Sequence, residues 1–272
     1  MKYISYLIFS LFIYILLIIS SPPNNDGNKM NISLVNEFKI INTKNIFFGH
    51  QSVGNNILQG IQLLQDKNNP LSMTIINMEN NRDETSKYFI ESKIGSNGIP
   101  KNKIYDFCQK VNQLEKNNLD IAMMKLCYAD IKSDSDINDI FKYYSKSIDS
   151  LQKKYPNLKI IHITVPLTAR RNFIKGIKDL LKRRSDSSIL DNVERNKFNK
   201  LLSNKYSSDR IFDLAKLEST YPDGSIESFA YQGNNYNSLV PEYTDDGGHL
   251  NDEGKQVVAE EYIKLLKNLI IR

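Results

Sequence analysis

The sequence predicts an α/β domain built on a parallel sheet with helices on both faces. Three observations predict it. Short apolar runs recur between Lys44 and Leu214, and runs of about four to eight residues mark strands buried on both faces. Helical patterns alternate with those runs, which is the order of a chain that winds helices around a parallel sheet. The chain has 272 residues, 40% hydrophobic and 25% charged, enough to bury a sizeable core without disulfide or metal staples.

The N-terminal stretch carries the first signal. Tyr3 to Ile19 is almost wholly apolar, broken by Ser5 and Ser10, preceded by Lys2 and closed by Ser20-Ser21-Pro22-Pro23. Its length lies between a secretory core and a membrane-spanning helix. Residues 1–21 are therefore expected to be a signal peptide or an N-terminal membrane anchor, and the protein to be exported: periplasmic, extracellular or anchored facing outward. No cysteine stands there to carry a lipid. Residues 22–43, polar and rich in Asn at their start, are expected to be a linker and lead-in, and residues 44–272 the folded domain.

Within that domain, strands are expected at Asn45–Phe48, Met73–Met78, Leu119–Leu126, Lys159–Val165 and Arg210–Leu214, about five in all. Helices are expected at Val53–Gln65, Ile104–Leu114, Ile137–Tyr155, Leu190–Tyr206 and Asp252–Ile270. The first of these carries Val53, Ile57, Leu58, Ile61 and Leu64 on one face, and the second Ile104, Phe107, Val111 and Leu114. In parallel sheets of this kind, ligands bind outside the carboxyl ends of the strands. That rule points to Ser52 after the first strand, Cys127–Asp130 after the third and Thr168–Arg171 after the fourth.

The net charge of +5 is modest, no nucleic-acid module is present, and no zinc-ligand spacing occurs. Cys108 and Cys127 are the only cysteines, too few for a disulfide framework and expected to be buried thiols.

The chemistry concentrates in two places. Thr244-Asp245-Asp246-Gly247-Gly248-His249-Leu250-Asn251 sets a carboxylate three residues ahead of one of only three histidines. A carboxylate in that position accepts from the imidazole, fixes its tautomer and turns the other nitrogen outward as a base. Asp245 is expected to cap a turn. At the other end of the chain, Gly49-His50-Gln51-Ser52-Val53-Gly54 leads from a strand into a helix. Ser52 then sits at the helix N-terminus, where free N–H groups favour a developing oxyanion. The alternative is that Ser52 is only an N-cap.

These two blocks resemble the SGNH/GDSL hydrolase family. Asp246-Gly247-Gly248-His249-Leu250-Asn251, with Gly254 behind it, is similar to that family's last block, and Phe47-Phe48-Gly49-His50-Gln51-Ser52-Val53-Gly54 to its first. Gly95, in Ile94-Gly95-Ser96-Asn97-Gly98, matches the second-block glycine. The chain departs from the pattern twice. His50-Gln51 stands where the family has an aspartate before the serine. Cys127-Tyr128-Ala129-Asp130 stands where it has Gly-x-Asn-Asp, so the asparagine donor is absent.

The resemblance implies a three-layer α/β/α, flavodoxin-like fold and an ester hydrolase with a Ser52–His249–Asp246 triad. It implies an oxyanion hole from the Ser52 and Gly95 N–H groups, with Asn97 as the substitute donor. The expected substrate is a carboxylic ester, with O-acetyl groups of a glycan preferred, and no metal or organic cofactor is required. Two alternatives stay open: an O-acyltransferase with the same triad, and a non-catalytic exported binding protein on the same fold. His50, Arg170 and Tyr128 are candidate substrate contacts, while His50, Asp245, Asp246 and His249 as a metal set is the alternative use of those side chains. Arg170 and Arg171 open a basic stretch to Arg184, either a surface helix or a cover over the site. Glu218–Tyr243 is expected to be a long irregular wall, and His162 a core histidine.

Overall fold

The computed structural model describes residues 34, 36–66, 73–80, 87–115, 118–170 and 187–271. The chain divides into two units, residues 1–36 and 37–272, and the sheet with all its covering helices belongs to the second. The expected export segment, residues 22–33 and 35 of the linker and lead-in, and the basic stretch after Arg170 lie outside the described residues. Among the described residues, no helix is long and apolar enough to cross a membrane.

Residues 37–41 are helical and lead into β1 (Ile46–His50). The order then runs α1 (Val53–Asp66), β2 (Ile75–Asn77), β3 (Phe89–Lys93), α2 (Pro100–Leu114), β4 (Ile121–Met124), α3 (Ile137–Lys154) and β5 (Lys159–Ile163). It closes with α4 (Ser187–Lys205), β6 (Ile211–Phe212), α5 (Leu214–Glu218), a hairpin of β7 (Ser228–Tyr231) and β8 (Asn234–Asn237), and α6 (Asp252–Ile271).

Six strands form one sheet in the order β2-β3-β1-β4-β5-β6, and every pairing in it is parallel. Omitting the short edge strand β2, this is the flavodoxin-like order, in which the chain leaves β1 to one side and later returns to its other side. The fold class is thus the three-layer α/β/α one expected, with six strands in place of about five. The added strand is β3. The stretch expected to be an irregular wall instead contains the antiparallel β7–β8 hairpin.

The layers follow from alternation along β1, whose five residues are all buried. Phe47 stacks on Phe107 of α2, at 5.8 Å between ring centroids. Phe48 faces the other way and meets Tyr262 of α6 at 5.7 Å. Helices α1 and α6 cover one face, and α2, α3 and α4 the other. Each fully buried side chain of this size stabilises the fold by about 1.5–3 kcal/mol. Two strand ends adjoin at the switch point between β1 and β4, and the residues after both form the candidate site.

Candidate active site

Ser52 is reached two residues beyond the end of β1 and one before α1. Its backbone is left-handed, with φ of 52°, a conformation that L-residues adopt at a cost. The turn is held by Gly54 N–H to Gln51 O at 3.1 Å and Asn55 N–H to Ser52 O at 2.7 Å. Gln51 fixes it sideways, donating from Nε2 to the carbonyls of Ile94 (2.9 Å) and Gly95. Cys127 Sγ donates to Gln51 O at 3.4 Å and accepts from the buried Lys125 Nζ at 3.3 Å. The residues after β4 therefore grip the serine turn from its other side.

His249 arrives from a loop closed by an antiparallel bridge between Thr244 and Leu250. Gly247 turns this loop at φ of 90°, where a side chain would be strained. Asp246 Oδ1 accepts from the N–H groups of Gly248 and His249, both at 2.8 Å. Its other oxygen meets His249 Nδ1 at 2.6 Å. His249 Nε2 then lies 2.7 Å from Ser52 Oγ. The structure thus brings together all three residues singled out from the sequence, although 197 positions separate Ser52 from His249.

Partial burial alone would raise the Asp246 carboxyl. The hydrogen bonds from the His249 N–H, the His249 ring and the Gly248 N–H outweigh it and bring the carboxyl down to about 2. Asp246 is therefore an anion wherever the site could operate. An anion against Nδ1 favours the tautomer with its proton there, which would leave Nε2 free to accept from the serine hydroxyl. The side chains of His249 and Asp246 are 44% and 57% exposed, so the relay opens on solvent.

Other expected residues are placed differently. The Ser52 N–H makes no hydrogen bond among the described residues, whereas the Gly95 N–H donates to Asp106 Oδ2 at 2.8 Å and is already engaged. Asn97 accepts from Lys103 Nζ at 2.7 Å, within a buried pair that joins Lys103 to Asp130 at 2.6 Å. No contact joins Asn97 to Ser52 or His249 among the described residues. His50 is only 3% exposed. It stacks on Phe48 at 4.8 Å and meets Glu91 Oε2 at 3.1 Å. Its ring lies under α1, where a Cβ at position 54 would stand 2.4 Å from His50 Cβ. His50 is thus a packed residue of the sheet face rather than a substrate contact, and it does not join His249 as a metal set. Gly54 serves this close packing. Arg170 is exposed and committed to Glu227 through Nε (3.0 Å) and Nη2 (2.6 Å). Tyr128 does reach the site, its hydroxyl 3.5 Å from His249 Nε2.

Two of the remaining candidates are core groups. His162 accepts from or donates to Tyr144 Oη at 2.8 Å and stacks on Tyr206 at 3.5 Å. Cys108 and Cys127 are free thiols; Cys127 is buried, and Cys108 is partly buried, its thiol pushed up to about 11 by desolvation. Among the described residues, no three His, Cys, Asp or Glu side chains are grouped to hold a metal ion.

Sequence patterning did not single out three residues that build the site. Asn56 Oδ1 accepts from Leu250 N–H at 3.1 Å, tying α1 to the histidine loop. Its signal was a polar side chain one helical turn beyond Ser52, on a face otherwise set by Val53, Ile57 and Ile61. Arg195 of α4, 3% exposed, donates to the carbonyls of Tyr128 (3.0 Å) and Ile131 (3.1 Å). Gln51 is the third. Ala169 N–H donates to Gly247 O at 2.9 Å, so the segment after β5 also supports the loop.

No protein-family model matches the sequence, and no curated protein does. In fold the chain is similar to several solved structures. One is the periplasmic domain of a lipopolysaccharide acetyltransferase from Salmonella ser. Paratyphi A: 14% identity, TM-score 0.45, 84% of each chain covered. Another is a lipolytic protein of the G-D-S-L family from Veillonella parvula: 13% identity, TM-score 0.40, covering 80% of this chain and 95% of that one. A carbohydrate esterase family 3 protein from Talaromyces cellulolyticus has 12% identity and TM-score 0.41, over 84% and 97% of the two chains. These likenesses are of fold alone.

Proposed function

We propose that the chain is a serine ester hydrolase that cleaves a carboxylic ester through Ser52, His249 and Asp246. The observation that carries this reading is the unbroken relay from Ser52 Oγ to His249 Nε2 (2.7 Å) and from His249 Nδ1 to Asp246 Oδ2 (2.6 Å). Base, orienter and nucleophile are all within hydrogen-bond reach, the geometry that activates a hydroxyl. Ser52 Oγ attacks the acyl carbon and passes its proton to His249 Nε2. The carbonyl oxygen takes up the displaced electron pair beside the Ser52 N–H at the start of α1. Collapse expels the alcohol, which leaves with the proton from His249. Water then repeats the sequence on the acyl-serine, releasing the acid and restoring the hydroxyl.

The preferred substrate is an O-acetyl group on a glycan. The solvent-facing imidazole and carboxylate suit an ester carried on a large hydrophilic molecule, and the apolar run at residues 3–19 suits an exported enzyme that meets one.

Turnover of p-nitrophenyl acetate by the purified chain tests the reading. Ser52→Ala is expected to lower kcat by at least about 10⁴-fold, as loss of a triad nucleophile does elsewhere. A fluorophosphonate should label the native chain and not this variant. Equal rates in the two proteins would refute catalysis and leave a binding role. An added sugar that captures the acyl group in place of water would make the chain an acyltransferase with the same triad.

A further inference from the structure

We propose that the Tyr128 hydroxyl donates the side-chain hydrogen bond to the negative oxygen of the tetrahedral intermediate formed at Ser52. The assignment rests on the hydrolase reading and deepens it. Its starting point is a shortage of donors. Ala129 offers a methyl group where the resemblance places an asparagine. The Gly95 N–H is held by Asp106 at 2.8 Å, and Asn97 is turned to Lys103. That leaves the Ser52 N–H with no described side-chain partner of that kind except the phenol.

Tyr128 opens the short 3-10 turn Tyr128–Asp130 just after β4, at the carboxyl edge of the sheet. Its hydroxyl lies 3.5 Å from His249 Nε2, the atom that is itself 2.7 Å from Ser52 Oγ. The ring stands edge-on to the imidazole, with centroids 5.7 Å apart. The phenol therefore stands beside both the nucleophile and its base, next to the serine oxygen to which the acyl carbon must bond.

The position is built rather than incidental. Arg195, almost fully buried, donates to Tyr128 O at 3.0 Å and sets its guanidinium 5.7 Å from the ring centroid. Arg195 is in turn fixed by Thr168 Oγ1 at 2.9 Å and Asn192 Oδ1 at 2.8 Å. On the other side the ring fills the space that Gly248 leaves. A Cβ at position 248 would stand 3.0 Å from Tyr128 Cζ and 3.2 Å from its hydroxyl. Burial pushes the phenol upward, against the opposing effect of its contact with Ser52, so it keeps its proton and acts as a donor at neutral pH.

The step balances without redox change. As Ser52 Oγ bonds to the acyl carbon, the carbonyl π pair moves to oxygen, and the serine proton goes to His249. The new oxyanion accepts from Tyr128 without taking its proton. When the carbonyl reforms, the bond to the leaving oxygen breaks, and His249 returns the proton to the departing alcohol.

The test compares the wild type, Tyr128→Phe, Gly248→Ala, the double variant and Ser52→Ala, with p-nitrophenyl acetate and ethyl acetate as substrates. Tyr128→Phe is expected to lower kcat about 10²-fold with KM little changed, the mark of a donor used in the transition state. The loss should be the same for both esters, because it acts at the carbonyl oxygen. Gly248→Ala, which displaces the ring but keeps the phenol, should also lower kcat, and the double variant should be no slower than Tyr128→Phe alone. Additive losses, a kcat within threefold of wild type, or a change confined to KM would each overturn the assignment. A loss that deepens for ethyl acetate would place the phenol on the leaving oxygen and overturn it too. Should Tyr128→Phe unfold, the Gly248→Ala rates and their ester dependence decide on the same terms. Ser52→Ala separates the two levels: if it retains the wild-type rate, the hydrolase reading fails and this assignment falls with it.

Discussion

Asn56 accepts a hydrogen bond from the main-chain N–H of Leu250 across 194 residues of sequence, at 3.1 Å. The contact joins the first helix after the serine turn to the residue after His249, and the group is buried. A side chain that belongs to neither nucleophile nor base thus ties their two segments together. Asn56→Ala leaves the Leu250 N–H without its partner, and a buried unpaired donor costs about 1–3 kcal/mol. Denaturant unfolding should register that loss, and p-nitrophenyl acetate turnover should fall with it as the imidazole loses its fixed distance from Ser52.

The left-handed backbone of Ser52 leads to a second prediction, one that sets stability against activity. With φ of 52°, any side chain at this position is held at a cost, and glycine removes it. Ser52→Gly is expected to unfold at a free energy about 1 kcal/mol above that of Ser52→Ala, the difference between an unstrained and a strained left-handed residue. Both variants should be inactive. Equal stabilities would mean that the turn carries no strain.

Most of the architecture was legible because the apolar runs are unambiguous. Ile121–Met124 and Lys159–Ile163 lie where expected, as do the helices of the two covering layers. Phe89–Lys93 was not, since Glu91, Ser92 and Lys93 give the strand a polar face. The structure explains that polarity locally: Glu91 is there to receive His50 and Asn77. The Asp-x-x-His spacing and the strand-to-helix serine were legible for a related reason, because both are short-range patterns with a mechanical meaning. Gly95, Asn97 and His50 were assigned by position along the chain. Their partners, Asp106, Lys103 and Glu91, come from other elements and could not be read from spacing. Arg195 was invisible for the converse reason: on a helix it reads as a solvated charge, and only the tertiary fold turns it inward on Tyr128.

Asp246 yields a prediction in which charge, tautomer and pH are separable. Its carboxyl is lowered to about 2, so its contribution to stability is fully present above the ordinary carboxylate value of 3.8 and is lost as pH falls through about 2. Across the neutral range it does not titrate. Asp246→Asn should therefore leave the pH dependence of stability above about pH 4 unchanged. It should nonetheless lower kcat by about 10⁴-fold, since the amide no longer enforces the protonated Nδ1 that the base requires. A variant that retains more than a tenth of the wild-type kcat would show that His249 is oriented by other groups.

His162 supplies the last prediction, in acid stability. It is buried between Tyr144, at 2.8 Å from Nδ1, and the face of Tyr206 at 3.5 Å. Desolvation is the main cause that lowers it from 6.5 to about 4; Arg210 and Lys205 act in the same direction, and Asp149 opposes them. In the unfolded chain the imidazole takes a proton as pH drops through about 6.5, whereas in the fold it stays neutral until about pH 4. The unfolded state binds more protons in that window, so stability falls with pH there. From pH 7 to pH 4.5 this one group should remove about 2–3 kcal/mol. His162→Phe keeps an aromatic ring against Tyr206 but cannot titrate. Urea unfolding at the two pH values should show the wild type losing about 2–3 kcal/mol more than the variant. Identical losses would mean that the ring is already protonated in the fold.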